Sequence, residues 1–282
     1  MFKDVAFGQY YPAGSPIHRM DARVKLLLTL MFVVGIFFIK SYFGFMLTAV
    51  LLLSVILTAR LPMMSVLKSI RGVLLVLVFT ALINLFLGGE NGSEVLWKWE
   101  FLTITEQSVD TTIKLVLRLV LLISGATLLS LTTTPVELAD GVESLLTPLK
   151  LIRVPVRDIA MIMSIALRFI PTLFEETNKI VSAQKSRGAS FDTGGPFARI
   201  KSLLPVLIPL FVNSFRRADE LAFAMDSRCY NASDKRVKMR QPKLKIADGV
   251  ASLIMAGYFV TIMLDTYYWQ GLVDKLMFGG LL

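Results

Sequence analysis

The chain has 282 residues, of which 55% are hydrophobic and only 18% are charged, and its mean hydropathy is +0.65. An ordinary soluble domain has about a quarter of its residues charged, so this composition excludes a soluble globular protein and a disordered one. The net charge of +9 would suggest nucleic acid in a soluble protein, but basic residues of membrane proteins collect on the cytoplasmic side. We therefore expect a polytopic, all-α protein of the cell membrane that binds no nucleic acid.

Several kinds of site are excluded by residue counts. One cysteine, Cys229, and one histidine, His18, exclude a disulfide framework and a zinc site built from several Cys and His ligands. No Gly-x-x-x-x-Gly-Lys-Ser/Thr motif occurs, so the chain has no P-loop for nucleotide phosphates. We expect no catalytic, metal or cofactor site, and no removable signal peptide before the first apolar run at Leu26.

Five charge-free apolar runs predict five transmembrane helices, because flanking Lys and Arg side chains can extend a short run to the bilayer surface. The runs are Leu26–Ile39, Tyr42–Ala59, Gly72–Gly89, Leu119–Val136 and Gly249–Leu264.

The charges between these runs predict the orientation of the chain. The segment before the first run carries Lys3, Arg19, Arg23 and Lys25, which places the N-terminus in the cytoplasm. The acidic loop from Gly88 to Asp110 belongs outside, and its alternating Trp97 and Trp99 indicate a short extended or interfacial segment. The fifth helix then leaves the C-terminus outside.

The segment from Thr132 to Lys245 carries 18 basic and 11 acidic residues, and the charge rule places it in the cytoplasm. Two apolar runs within it, Ile159–Phe174 and Leu203–Phe215, are interrupted by Arg168, Pro171, Pro205 and Pro209. If both crossed the membrane, the basic residues between them would lie outside. We favour long amphipathic helices at the inner membrane surface. The spanning alternative stays open, and the predicted segments are 1–131, 132–245 and 246–282.

An Ala-x-x-Ser-Arg-small pattern occurs twice, 41 residues apart. Each copy closes a helical apolar stripe, with Ile180 seven residues before Arg187 and Leu221 seven residues before Arg228. An arginine at the tip of such a stripe can bind a carboxylate while the stripe is buried in a groove. Alternatively, each arginine only complements the helix dipole and Gly188 ends the first helix. The duplication favours paired docking. The residues concerned are Ala183, Ser186, Arg187 and Gly188, and Ala224, Ser227, Arg228 and Cys229.

These two motifs, with the segment Ser15–Lys25 before the first helix, resemble the transmembrane T component of energy-coupling factor transporters, a family that includes the cobalt-transport permease subunit. The resemblance covers nearly the whole chain in order. It implies that each Ser-Arg motif ends a coupling helix and docks in a groove of one of two ABC-type ATPase subunits. The sequence departs from the family pattern at Cys229, where glycine is usual, and at Ala22, where proline often follows the aspartate.

The resemblance implies a scaffold and coupling subunit that transmits ATP hydrolysis by two ATPases to a membrane-embedded S component, for uptake of a vitamin or a transition-metal ion. A secondary transporter that binds its own substrate is the alternative. It would need charges or broken helices near the bilayer midplane, and the five apolar runs contain neither except near their ends. An intramembrane enzyme lacks a nucleophile, metal set or carboxylate pair.

Two further groups of charged residues have structural explanations. We expect His18, Asp21, Arg23 and Lys25 to order the N-terminal segment against the cytoplasmic face and contact lipid headgroups. Lys114, Arg118 and Asp265 could mark an ion path, but they lie near helix ends, where we expect their side chains to reach the surface.

Overall fold

The computed structural model describes residues 10–87, 95–99, 102–148, 156–189, 191, 195–230 and 245–269. The regular elements of the described residues are helices apart from one two-stranded hairpin, which confirms the prediction of an all-α membrane protein. Its elements are α1 (Ala22–Phe38), α2 (Tyr42–Ala59), α3 (Met63–Leu87), β1 (Val95–Trp99), β2 (Leu102–Thr105), α4 (Glu106–Thr132), α5 (Pro135–Leu146), α6 (Val156–Ser186), α7 (Pro196–Ser227) and α8 (Ile246–Leu264), which continues into a π-helical turn (Asp265–Trp269).

Four described helices are long and apolar enough to cross a membrane: Tyr42–Ala59, Met63–Phe86, Glu106–Thr132 and Ile246–Tyr267. Helix α1 has 17 residues, which gives it a length of about 26 Å. That is slightly less than the roughly 30 Å of a hydrocarbon core, so its crossing remains a prediction. Neither α6 nor α7 is among the four helices, and their placement at the membrane surface remains a prediction.

Four of the five predicted spans differ from the observed helices in their bounds, and two of them differ by nine residues or more. Helix α3 begins nine residues before Gly72, and α4 begins 13 residues before Leu119. The charge-free runs stop at basic residues that the helices accommodate. In α4, for example, Lys114 Nζ lies 2.7 Å from Asp110 Oδ2 one turn earlier. Helix α4 also ends at Thr132 rather than Val136, because Pro135 begins α5 with Thr134 and Glu137 forming its capping box.

The chain divides into two compact units. The bundle unit comprises Gly8–Pro148 and Lys243–Leu282, and the coupling unit comprises Met1–Phe7 and Leu149–Pro242. The described helices of the coupling unit are α6 and α7; the others belong to the bundle unit. The predicted boundaries at 131/132 and 245/246 concern the two sides of a membrane and remain a prediction.

The core of the bundle unit lies among α1, α2, α4 and α8. Phe32 of α1 stacks on Tyr258 of α8, whose hydroxyl is 2.9 Å from the Thr48 hydroxyl of α2. Helix α4 approaches Phe32 through Gly125, where an added Cβ would lie 2.3 Å from the Phe32 ring. This glycine therefore allows the close approach of α4 to α1.

The extended segment predicted around the tryptophans is strand β1, which pairs antiparallel with β2 in register Trp97 with Ile104 and Trp99 with Leu102. The register shifts between Val95 and Trp97.

The prolines that interrupt the apolar runs of α6 and α7 do not end these helices. Helix α6 continues through Pro171, and α7 through Pro205 and Pro209, although each proline removes one backbone donor.

Candidate functional site: the two Ser-Arg helix ends

Helix α6 ends in a Schellman motif at the first Ser-Arg pair. The N–H of Ala189 donates to the carbonyl oxygen of Gln184 at 3.0 Å, and the N–H of Gly188 donates to that of Lys185 at 3.0 Å. Gly188 has φ +87°, the left-handed conformation that this motif requires after the cap residue. Arg187 is therefore the C-cap of α6.

Helix α7 ends in the same way at the second pair. The N–H of Tyr230 donates to the carbonyl oxygen of Met225 at 3.0 Å, and the N–H of Cys229 donates to that of Asp226 at 2.9 Å. Cys229 has φ +53°, so it takes the left-handed conformation although it is not glycine. Arg228 is the C-cap. The departure at Cys229 thus leaves the local backbone unchanged, at the steric cost that a Cβ carries in this conformation.

The side chains of the two helix ends are also matched. Ser186 Oγ donates to the carbonyl oxygen of Ser182 at 3.2 Å, and Ser227 Oγ donates to that of Phe223 at 2.7 Å, so both serines bond to their own helix, one turn back. Each predicted docking residue is exposed: Ala183, Ser186, Arg187 and Gly188 at the end of α6, and Ala224, Ser227, Arg228 and Cys229 at the end of α7.

Both arginines are available for an external partner. Among the described residues, no carboxylate lies within ion-pair distance of either Arg187 or Arg228. The residue three positions before each arginine, Gln184 in α6 and Met225 in α7, is half-buried. Each tip therefore presents a free guanidinium beside a partly buried stripe, an arrangement that suits an acidic groove.

Helices α6 and α7 are joined by a polar cluster that the sequence analysis did not identify, which we call the Glu176 cluster: Glu176, Asn213 and Arg217. Asn213 Nδ2 donates to Glu176 Oε1 at 2.6 Å. Arg217 NH2 lies 2.8 Å from Glu176 Oε2, as a charge pair outside hydrogen-bond angles. Glu176 and Arg217 are 41 residues apart, the same spacing as the two motifs, although this spacing by itself does not predict a contact.

The N-terminal segment is ordered by Lys25, which is buried in the bundle unit. Its ammonium donates to the carbonyl oxygens of His18 at 3.2 Å and Thr132 at 2.9 Å. Thr132 ends α4, where the negative end of the helix dipole favours a cation. His18 is fixed by Ser15 Oγ, 2.7 Å from Nδ1, and by the Tyr11 carbonyl oxygen, to which Nε2 donates at 2.8 Å. Lys25 and His18 thus have structural partners.

Asp248, in the first turn of α8, links the N-terminal segment to the start of that helix. The N–H of Asp21 donates to Asp248 Oδ1 at 3.1 Å, and the N–H of Lys245 donates to Asp248 Oδ2 at 2.7 Å. Asp248 is only 2% exposed. Asp21 in turn caps α1, accepting from the N–H of Arg23 at 3.0 Å.

The three charged residues near the predicted outer helix ends each have a local partner. Lys114 pairs with Asp110 at 2.7 Å, Arg118 NH2 donates to the Ile39 carbonyl oxygen at 2.8 Å, and Asp265 accepts from Ser41 Oγ. Among the described residues, no three His, Cys, Asp or Glu side chains are grouped so that they could hold a metal ion.

Fold and site together define a class: a polytopic helical membrane protein that presents two equivalent, arginine-tipped helix ends. Comparison with known proteins gives the family. Residues 13–239 match the family described as CbiQ, cobalt transport protein, and the chain belongs to it.

Similar proteins carry a more specific name. The chain is 45% identical to the energy-coupling factor transporter transmembrane protein EcfT of Ruminiclostridium cellulolyticum, over 95% of this chain and 99% of that protein. It is 42% identical to EcfT of Clostridium kluyveri, over 95% and 99% of the two chains, and 44% identical to EcfT of Acidaminococcus fermentans, over 93% and 97%. The chain is thus a transmembrane component of the energy-coupling factor transporter type, as the Ser-Arg motifs and the N-terminal segment indicated.

Proposed function

We propose that this chain is the scaffold and coupling subunit of an energy-coupling factor importer, and that its two Ser-Arg tips dock two ABC-type ATPase subunits. The observation that carries the proposal is the duplicated helix end. Arg187 and Arg228 have the same C-cap position, the same backbone hydrogen bonds and the same exposure. A general preference for cations at helix ends does not require a repeated Schellman motif with the arginine at the same position.

The ATPases supply the chemistry that this chain lacks. Because its sequence has no P-loop, the chain contributes position: two guanidinium groups, each held at the C-cap of a long helix, transfer a displacement of the ATPases to α6 and α7. Those helices then move the S component, which binds the cargo, a vitamin or a transition-metal ion.

The apolar surface of α7 supports a membrane-embedded partner. Phe197, Ile208, Phe211 and Phe215 are each at least 60% exposed. Contiguous apolar surface of this kind marks a protein or membrane contact. We assign this face to the S component and the adjoining lipid, at the inner membrane surface.

Charge reversal at the two tips tests the docking. Removing one partner of a buried interfacial charge pair costs about 2 to 5 kcal/mol, and a reversed charge adds repulsion in an acidic groove. We expect Arg187→Glu and Arg228→Glu each to weaken, and the double variant to abolish, co-purification of the co-expressed ATPases in mild detergent.

Arg216→Glu is the matched control, because Arg216 is also an exposed arginine of α7 but lies 12 residues before the tip. It should leave the complex intact. Intact complex from the double variant would refute the docking proposal. Gradient-driven uptake by the purified chain in liposomes without ATPases would favour the secondary transporter instead.

A further inference from the structure

We propose that Glu176 is a positioning residue that makes α6 and α7 turn as one body, so that movement of the docked arginine tips reaches the opposite ends of these helices. The inference rests on the proposed function, because it takes Arg187 and Arg228 as the points where the ATPases apply force. It concerns a different step, namely transmission within the chain after docking.

The Glu176 cluster lies at the same distance from both tips. Arg187 follows Glu176 by 11 residues, and Arg228 follows Arg217 by 11 residues. At 1.5 Å per residue each arm is about 16 Å long, and 11 residues are close to three whole turns. Each arginine therefore lies at nearly the same helical phase as the cluster residue of its own helix. Equivalent positions of the two repeated segments meet at the crossing.

The two arms point to opposite ends of the helix pair. Besides the Glu176 cluster, Tyr230 just after α7 contacts Met161 in the first half of α6, through its hydroxyl and the methionine sulfur. Compared with the Glu176 cluster, this second contact lies later in the chain of α7 and earlier in that of α6. The two helices are therefore antiparallel. The two tips are therefore separated by about twice one arm, roughly 30 Å, with the cluster near the midpoint.

The burial and the composition of the Glu176 cluster allow it to fix the crossing of α6 and α7. The Glu176 side chain is only 16% exposed and that of Arg217 is 37% exposed. By contrast, Arg216 and Glu220 are about 70% exposed, 3.9 Å apart and on the same helix, so they cannot join two elements. A partly buried charge pair with an added amide hydrogen bond has a definite geometry and resists sliding of one helix past the other.

Packing beside the cluster is open on the side of the first tip. A groove of about 370 Å³ is lined there by α6 residues, including Lys179, Ile180 and Ala183, and by Arg217 from α7. The half-buried Ile180 therefore borders open space on this side. Rotation about the crossing is resisted by the Glu176 cluster and by the contact between Tyr230 and Met161.

The test compares the helix ends opposite the tips in the complex with both ATPases. After Cys229→Gly, which introduces the glycine usual at this position of the family, removes the only native cysteine, Asp158→Cys in α6 and Lys201→Cys in α7 place spin labels at two exposed sites. We expect the distance between the labels to be the same in the nucleotide-free and the ATP-vanadate states, because the two helices move as one body. In Glu176→Ala this distance should instead differ between the two states, because the joint between the helices is lost.

Two further variants separate positioning from a general loss of structure. Exchanging the charges, Glu176→Arg with Arg217→Glu, should restore the constant distance, and the control Glu220→Ala should leave the distance constant. The ATPases should co-purify with every one of these variants. If the distance stays constant in Glu176→Ala, or if the exchange variant fails to restore the constant distance, the inference is wrong. If the ATPases instead stay bound to the double tip variant, the proposed docking function fails.

Discussion

Cys229 is the residue at which the two helix ends differ chemically. It holds the left-handed conformation with φ +53°, where Gly188 has φ +87°. A non-glycine residue pays about 1 to 2 kcal/mol for this conformation, and glycine loses part of that advantage through its greater chain entropy. We expect Cys229→Gly to stabilise the end of α7 by about 0.5 to 1 kcal/mol, seen as slower amide exchange at Cys229 and Tyr230.

Cys229→Ala is the control for this prediction, because alanine retains the Cβ and removes only the thiol. It should leave amide exchange at the end of α7 close to that of the unmodified chain. Equal protection in the glycine and alanine variants would show that the thiol, and not the backbone conformation, limits this helix end.

At the scale of elements, Asp248 connects the start of α8 to the N-terminal loop of the bundle unit. Its two carboxylate oxygens accept from the N–H groups of Asp21 and Lys245 at 3.1 and 2.7 Å, and it is 2% exposed. Hydrogen bonds to a charged group contribute about 1.5 to 3 kcal/mol. We expect Asp248→Ala to lower the melting temperature in detergent by about 5 to 10 °C.

Glu137 offers a matched comparison. It occupies the same N3 position in the capping box of α5, where its Oε2 accepts from the Thr134 N–H at 3.4 Å, but it is exposed. Glu137→Ala should therefore lower the melting temperature by only about 1 to 3 °C. Similar losses in both variants would mean that Asp248 acts only as a helix cap and does not join α8 to the N-terminal loop.

At the scale of the whole molecule, the distribution of charged residues predicts how the chain is oriented in the membrane. The basic segment 132–245 is predicted in the cytoplasm, and the start of α4 outside. Cys229 is exposed and is the only cysteine. A membrane-impermeant maleimide should therefore label it in inside-out vesicles from cells that express the chain without the ATPases, and leave it unlabelled in intact spheroplasts.

The opposite pattern is expected for Glu106→Cys in a Cys229→Ser background, since Glu106 is exposed in the first turn of α4. Labelling of Cys229 from outside would reverse the predicted orientation.

The sequence alone determined the class of protein, four of the helices that can cross a membrane, and both arginine tips. These features are local: apolar runs of spanning length, loop charges and a repeated motif are all readable within a few turns of chain. The helix bounds were harder to predict from the sequence. Lys114 and Arg118 limit a charge-free run, but both lie within α4, where a carboxylate or a carbonyl oxygen binds their charged groups.

Only the tertiary structure revealed which distant residues meet. Nothing in local sequence pairs Lys25 with the Thr132 carbonyl oxygen, 107 residues away, or Asp21 with Asp248, 227 residues away. The same holds for Glu176 and Asn213, which are 37 residues apart. The 41-residue repeat placed Glu176 and Arg217 at equivalent positions, but equivalence does not imply contact. The antiparallel packing of α6 against α7 decides it, because this packing brings the middle of one helix against the matching part of the other.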